Sequence, residues 1–250
     1  VILPPSAPRA VTLDLLDPLP EPARRYLLHT GIVGHPWIYT VRLKQRGVFR
    51  LGEKKPWMPL KAEQVYTTEP PGFCWKARLK MFGLWIVYGC DTYKQGHGHM
   101  FGKVAGLWTI FDARGEPLDQ ASMVRYLNEM VWFPTAFLSD YITVRSASAD
   151  SFEVTYTEPG GAVAQDRSVT ARLTVDEAGR LTNFVAQRYR EDHGRFTLDT
   201  WATPFSEHGV RAELLLPVRG QAVWKLAQGD LVYADLTITS VEYNIPLEEF

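Results

Sequence analysis

From about Trp37 onward the chain alternates apolar and polar residues with a period of two, and one helix-grade stretch near its middle interrupts the pattern. The alternation is clearest where Phe73, Trp75, Ala77, Leu79 and Met81 interleave with Cys74, Lys76, Arg78 and Lys80. Successive side chains of a strand point to opposite faces, so such a segment needs one buried face and one wet face. Similar runs occur at Val169, Ala171, Leu173 and Val175 and at Val232, Ala234, Leu236 and Ile238, with turn signals at Gly160-Gly161, Glu177-Ala178-Gly179 and His193-Gly194. The pattern predicts ten to twelve strands: 38–50, 57–68, 72–81, 84–94, 99–112, 141–148, 151–157, 167–176, 180–190, 195–206, 210–225 and 230–244.

Short connections make neighbouring strands antiparallel, because parallel pairs need crossover helices that this pattern lacks. A sheet of that many strands must curl to bury its apolar face. The expected class is therefore mainly β (α+β): a large curved antiparallel sheet, half-barrel or barrel, with two or three helices, one of them against the concave face. Prolines at 4, 5, 8, 18, 20 and 22 make residues 1–20 an extended arm. Residues 21–250 then form a single β-domain with a ligand cavity. Residues 21–30 read as a short helix, with Pro22 in its first turn, Gly31 to end it, and Tyr26 and Leu27 facing inward.

Composition narrows the function classes. The 27 Lys and Arg are cancelled by 28 Asp and Glu to a formal net charge of −1, which argues against a nucleic-acid surface, although a local basic groove stays open. No run of about 18 apolar residues marks a membrane span. The start, Val1-Ile2-Leu3-Pro4-Pro5, lacks a signal peptide's charged head, and a first residue other than Met leaves a removed upstream segment open. Two cysteines, Cys74 and Cys90, suit free thiols in a reducing compartment, so the expected location is cytoplasmic. Oligomeric state is not legible.

The helix, over 119–131, is bounded by Asp119 as N-cap and Pro134 as stop. Residues three and four apart share a side of a helix, which groups Ser122, Arg125, Tyr126 and Glu129 on one face and Met123, Leu127, Met130 and Val131 on another. Glu129 beside Tyr126 and Trp132 could act as a general acid or base, since burial against aromatic rings raises a carboxyl pKa. The plainer alternative is an i,i+4 ion pair with Arg125. Asp91 and Tyr93 share a strand face and could anchor a ligand oxygen or amine, or Asp91 could instead brace the Gly96 to Gly98 turn.

His97 and His99 form an H-x-H pair that would need a third ligand from Asp91, Glu129 or His208. The flanking glycines favour a turn over a metal site, so no metal is assigned. Arg188 alternates with Phe184 and Ala186 and could pair with Glu63, Asp91 or a ligand carboxylate. Eight tryptophans, Trp75 and Trp132 among them, and eleven tyrosines mostly fill a core, and several together would suit a cavity for an apolar or aromatic ligand of moderate size. No nucleotide-binding, nucleophile-elbow or H-E-x-x-H motif is present, so no cofactor is expected.

Four motifs recur in order: Leu19-Pro20-x-Pro22 with Arg25-Tyr26-Leu27; Trp57-x-Pro59 with Ala62-Glu63-Gln64; Asp91-x-Tyr93-x-x-Gly96-x-Gly98-x-Met100; and Arg125-Tyr126-Leu127-x-Glu129-x-x-Trp132-x-Pro134. Together they resemble an uncharacterised bacterial domain-of-unknown-function family over roughly residues 19 to 244. That resemblance implies a domain extent and no reaction. The element order is similar to the lipoprotein-carrier half-barrels, which implies an apolar ligand at the level of fold only. The expected function is binding of an apolar or aromatic small molecule. It could extend to cofactor-independent catalysis (cyclase, isomerase, lyase or hydrolase) by Glu129, Asp91 and Tyr126, with Tyr93, Arg125, Trp132, Trp75, Arg188 and Glu63 around the substrate. A non-catalytic lipid or hydrophobic-metabolite carrier is the alternative, and a protein-interaction module a third.

Overall fold

The alternating segments pair into one antiparallel sheet in the computed structural model, which describes residues 1–160, 167–192 and 194–249. Gly161 and His193, from two of the turn signals, lie outside the described residues. The strands are β1 (Thr40–Phe49), β2 (Met58–Thr68), β3 (Pro71–Met81), β4 (Leu84–Lys94), β5 (His97–Val104), β6 (Trp108–Ala113), β7 (Ile142–Ser146), β8 (Ser151–Thr157), β9 (Ser168–Val175), β10 (Leu181–Asp192), β11 (Arg195–Ala202), β12 (Phe205–Arg211), β13 (Leu214–Leu226) and β14 (Gly229–Tyr243). Their order is β6-β5-β4-β3-β2-β1-β14-β13-β11-β10-β9-β8-β7, with β12 paired to β13. The order begins at β6 and ends at β7 without joining them, so the sheet is an open half-barrel.

Three expected segments become five strands. The 99–112 run splits into β5 and β6 at Ala105 and Gly106, both at positive φ (52° and 72°). The 195–206 and 210–225 runs become β11, β12 and β13, the last two joined by Ala212 and Glu213 at φ 44° and 70°. Two successive positive-φ residues make the tight hairpin that suits strand twist, a role usually taken by Asn-Gly. Ala-Glu gives no such signal.

Helix α1 (Glu21–Thr30) matches its expected bounds, and Gly31 ends it in the left-handed conformation at φ 76°. Before it, the proline-rich segment forms a short 3-10 turn at Leu13–Leu16 and buries Val11 and Leu16.

Helix α2 (Glu116–Glu129) lies across the open side of the half-barrel, touching β4 and β5 on one wing and β9 and β10 on the other. Being enclosed from both sides, it buries residues of both expected faces: Met123 and Leu127 of the one, and Ser122, Tyr126 and Glu129 of the other. It starts three residues before the expected Asp119 cap, because Pro117 sits comfortably in a first turn. Asp119 thus lies inside the helix, where it accepts a hydrogen bond from the Gly98 amide at 2.8 Å. The α-helix stops at Glu129, two residues short of the expected 131, and 3-10 turns follow at Met130–Trp132 and Pro134–Leu138.

Docking of α2 on β5 requires the absence of a side chain at Gly98. A Cβ there would overlap the Ser122 hydroxyl and stand 2.8 Å from the Leu118 carbonyl oxygen. Gly98→Ala should therefore lower stability in urea unfolding by about 1–3 kcal/mol, the usual cost of overpacking. An unchanged midpoint would contradict this docking.

Candidate functional site

Strand register places Gln64 of β2 opposite Trp75 of β3, and Trp75 opposite Asp91 of β4. The three side chains form a cross-strand row on the concave face. Arg125 of α2 spans that row: Nη1 donates to Asp91 Oδ2 at 2.6 Å, Nη2 donates to Gln64 Oε1 at 3.2 Å, and the guanidinium lies 4.9 Å from the Trp75 ring. One turn along the helix, Glu129 Oε1 accepts from Arg125 Nε at 2.9 Å, while Oε2 accepts from Gln64 Nε2 at 2.7 Å and the Tyr66 hydroxyl at 3.0 Å. The i,i+4 ion pair is therefore present, and it belongs to a larger buried network.

Burial pushes the Glu129 carboxyl above its ordinary value of 4.5, opposed by Arg125 and by the bonds from Tyr66 and Gln64. Burial works against the Arg125 charge, yet Glu129 and Asp91 outweigh it and raise its pKa.

Beside this network lies a cavity of about 130 Å³. Its apolar wall includes Phe49, Leu60, Trp75, Trp132, Trp201 and Phe205, and its polar wall includes Gln45, Arg125, Asn128, Glu129, Arg188 and Thr203. The volume is smaller than the sequence suggests, close to the roughly 150 Å³ that holds one benzene-sized ring. Most of its indole and amide groups are committed: Trp75 Nε1 donates to Gln45 at 2.9 Å, Trp132 Nε1 to the Pro217 carbonyl at 3.0 Å, and the Thr203 hydroxyl to Asn128 at 2.5 Å.

Arg188 differs. Its Nε donates to the Ala121 carbonyl at 3.0 Å, its Nη1 reaches the Tyr233 hydroxyl at 3.5 Å, and its guanidinium stacks on Trp201 and Trp224 at 4.8 and 5.6 Å. Among the described residues no carboxylate pairs with it.

Five of the nine expected site residues thus line one space: Glu129, Arg125, Trp132, Trp75 and Arg188. The other four do not. Asp91 stands behind Arg125 and braces it, while the Gly98 amide, at the start of β5, bonds Asp119 instead. Tyr126 points into a packed aromatic cluster, its hydroxyl donating to the Thr67 carbonyl at 3.0 Å. Tyr93 and Tyr156 both donate to the buried carboxylate of Glu158, and burial followed by the Glu158 charge raises the Tyr93 pKa.

Glu63 lies on the outer face, 3.7 Å from Arg42, because strand parity sends it opposite to Gln64. Arg188 consequently cannot pair with Glu63, and Asp91 is already taken. His97 and His99 are held by different carboxylates, Asp119 at 3.2 Å and Asp112 at 2.9 Å, and His208 packs against His29. Among the described residues no three His, Cys, Asp or Glu side chains gather as a metal site. Cys74 and Cys90 are both free.

Gln45, Tyr66, Asn128, Thr203, Phe205 and Tyr233 escaped the sequence reading. Gln45 carried a signal: two residues after Leu43 on β1, it occupies an inward position where an apolar residue is expected.

The fold and the site define an open antiparallel half-barrel that holds an aromatic cavity between its sheet and its helix. The chain belongs to a family of unknown function, DUF6544, whose profile matches residues 9–236. None of the curated proteins compared with the chain matches it. Solved structures similar to it include a DUF1329 family protein from Desulfovibrio piger, at 8% identity and a TM-score of 0.50 over 96% of both chains. Two others are a putative outer membrane lipoprotein-sorting protein domain from Vibrio parahaemolyticus (9%, TM-score 0.47, 95% of this chain and 94% of that one) and a LolA superfamily protein from Nitrosomonas europaea (10%, 0.46, 95% and 96%). At such identities the likeness is one of fold. No described helix is long and apolar enough to cross a membrane.

Two substitutions test the network. Arg125→Met leaves Glu129 and Asp91 buried without their cation and should cost about 3–5 kcal/mol in urea unfolding. Because the folded pKa of Glu129 is raised, the native chain retains a proton that the unfolded chain loses above about pH 4.5. Stability from this group is thus full at low pH and declines as pH rises through the folded value. Glu129→Gln removes the titration, so its stability relative to the parent should improve as pH rises from about 5 toward 8. A pH-independent difference would contradict the raised pKa.

Proposed function

We propose that the cavity binds a small aromatic or apolar molecule carrying one anionic or strongly accepting group, and that binding rather than catalysis is its task. The observation that carries this reading is Arg188, a guanidinium stacked on tryptophan at the wall of an aromatic cavity and, among the described residues, without a carboxylate partner. Aromatic faces supply area for the ligand body, and a few placed polar groups fix its orientation. Arg188 would receive a carboxylate or a comparable acceptor. Tyr233, whose hydroxyl oxygen also accepts from Trp201 Nε1 at 3.1 Å, holds the guanidinium in place.

The state of Glu129 supports binding over proton transfer. Three donors already occupy its two oxygens, so its role is to hold Arg125 and the cavity wall. A second reading, general acid or base chemistry at Glu129, is favoured by its raised pKa. It would require the bonds from Gln64 and Tyr66 to open when substrate enters.

Titration with benzoate and with benzyl alcohol, followed by tryptophan fluorescence and calorimetry, tests the proposal. Benzoate should bind more tightly than benzyl alcohol. Arg188→Met should weaken benzoate roughly 10- to 100-fold, the range expected for a charged hydrogen bond, and change benzyl alcohol little. Ala222→Phe, which fills the cavity, should abolish both. Equal loss of both ligands in Arg188→Met would overturn the anionic-group assignment, and retained affinity in Ala222→Phe would place binding elsewhere.

A further inference from the structure

β1, β3 and β5 run in the same direction, so the connections that follow them lie at one end of the sheet. Those three connections and the first residues of the strands that follow expose large apolar side chains: Phe82 is 90% accessible, Leu107 76%, Leu51 and Trp108 65% each, and Leu84 62%. Large apolar side chains exposed along one end of a sheet suit an interaction site.

The backbone sharpens the point at Phe82. Phe82 and Gly83 have φ of 51° and 82°, the two central positions of the tight turn between β3 and β4. Asn or Asp before Gly suits such a turn, and a bulky residue at positive φ is strained. Local folding would be better served by Asn, so an exposed phenylalanine there points to contact with something else.

Behind these tips, on the outer face, register aligns Arg46 with Lys61, Lys61 with Arg78, Arg78 with Tyr88, and Tyr88 with Lys103. This cross-strand row contains four cations and no carboxylate, and Lys80 extends it toward Phe82. Like charges opposite one another on neighbouring strands oppose pairing. The row therefore also costs folding, in a chain whose formal net charge is −1.

We propose that this end of the half-barrel docks the protein peripherally on an anionic lipid bilayer, with Phe82, Leu107 and Trp108 entering the headgroup layer and the cationic row facing lipid phosphates. Apolar and tryptophan side chains ahead of a basic belt match the order of chemistries met on entering a bilayer. A nucleic acid would engage the cations and leave the apolar tips unused. A second copy of the chain would set one cationic row against another.

The test is flotation of the full chain with phosphatidylcholine vesicles, with and without phosphatidylglycerol, alongside Trp emission. The parent protein should float with the phosphatidylglycerol vesicles, shift its emission to the blue, and be released by high salt. Lys80→Glu and Lys103→Glu should each weaken binding by at least roughly fivefold, the factor attached to one basic residue near a charged membrane. Phe82→Asn should lower binding while its thermal midpoint holds or rises, a combination that a merely structural Phe82 would not give. Leu107→Ser provides an independent apolar variant. No flotation of the parent, unchanged flotation of Phe82→Asn with Leu107→Ser combined, or concentration-dependent self-association in sedimentation that these two changes abolish would overturn the proposal.

Discussion

The arrangement of this half-barrel depends on one guanidinium. Arg125 ties helix α2 to the Gln64-Trp75-Asp91 row on three adjacent strands, so the helix docks at a single height and rotation against the concave face. A one-residue slip of β2 or β4 would send Gln64 or Asp91 to the outer face and leave the arginine buried without its partners. The network therefore couples strand register to helix placement. Removing one member of such a buried set is far more costly than any surface pair of the same geometry.

The cavity follows from that placement. With α2 anchored to β2, β3 and β4 through Arg125, and to β10 through Arg188 and the Ala121 carbonyl, the space beside its last turn remains between two tryptophan-bearing walls. The two arginines then differ in electrostatic role. Arg125 is compensated by Glu129 and Asp91, whereas Arg188 stacks on aromatic rings and bonds neutral oxygens. Only the latter has charge to offer a ligand. The raised pKa of Glu129 reflects its burial between helix and sheet, which Arg125, Tyr66 and Gln64 offset only in part.

Much of this was readable in the chain because period-two alternation reports burial directly. It predicts the antiparallel sheet, the inward set Phe73, Trp75, Ala77 and Leu79, and a helix that must lie against the concave side. The misplacements have particular physical causes. Ala105-Gly106 and Ala212-Glu213 turn the chain tightly, and the second pair contains neither glycine nor asparagine. Tyr126 sits one position from Arg125, and about 100° of helical rotation takes it out of the cavity and into the cluster around Tyr93 and Tyr156. Glu63 and Gln64 are neighbours in sequence on opposite faces of β2, so Glu63, expected beside the substrate, lies outside and its neighbour Gln64 faces in. Arg188 shares strand parity with the buried Phe184 and Ala186 of β10, and that parity brings it to the cavity wall.

Arginine side-chain NMR separates the two guanidinium roles within one spectrum. With Nε–H resonances assigned by substitution, addition of benzoate should shift the Arg188 signal and the Trp201 indole signal in parallel with binding, and leave the Arg125 signal in place. Movement of Arg125 with a stationary Arg188, or saturable binding that moves neither, would contradict the account in which a compensated arginine builds the cavity and an uncompensated one serves it.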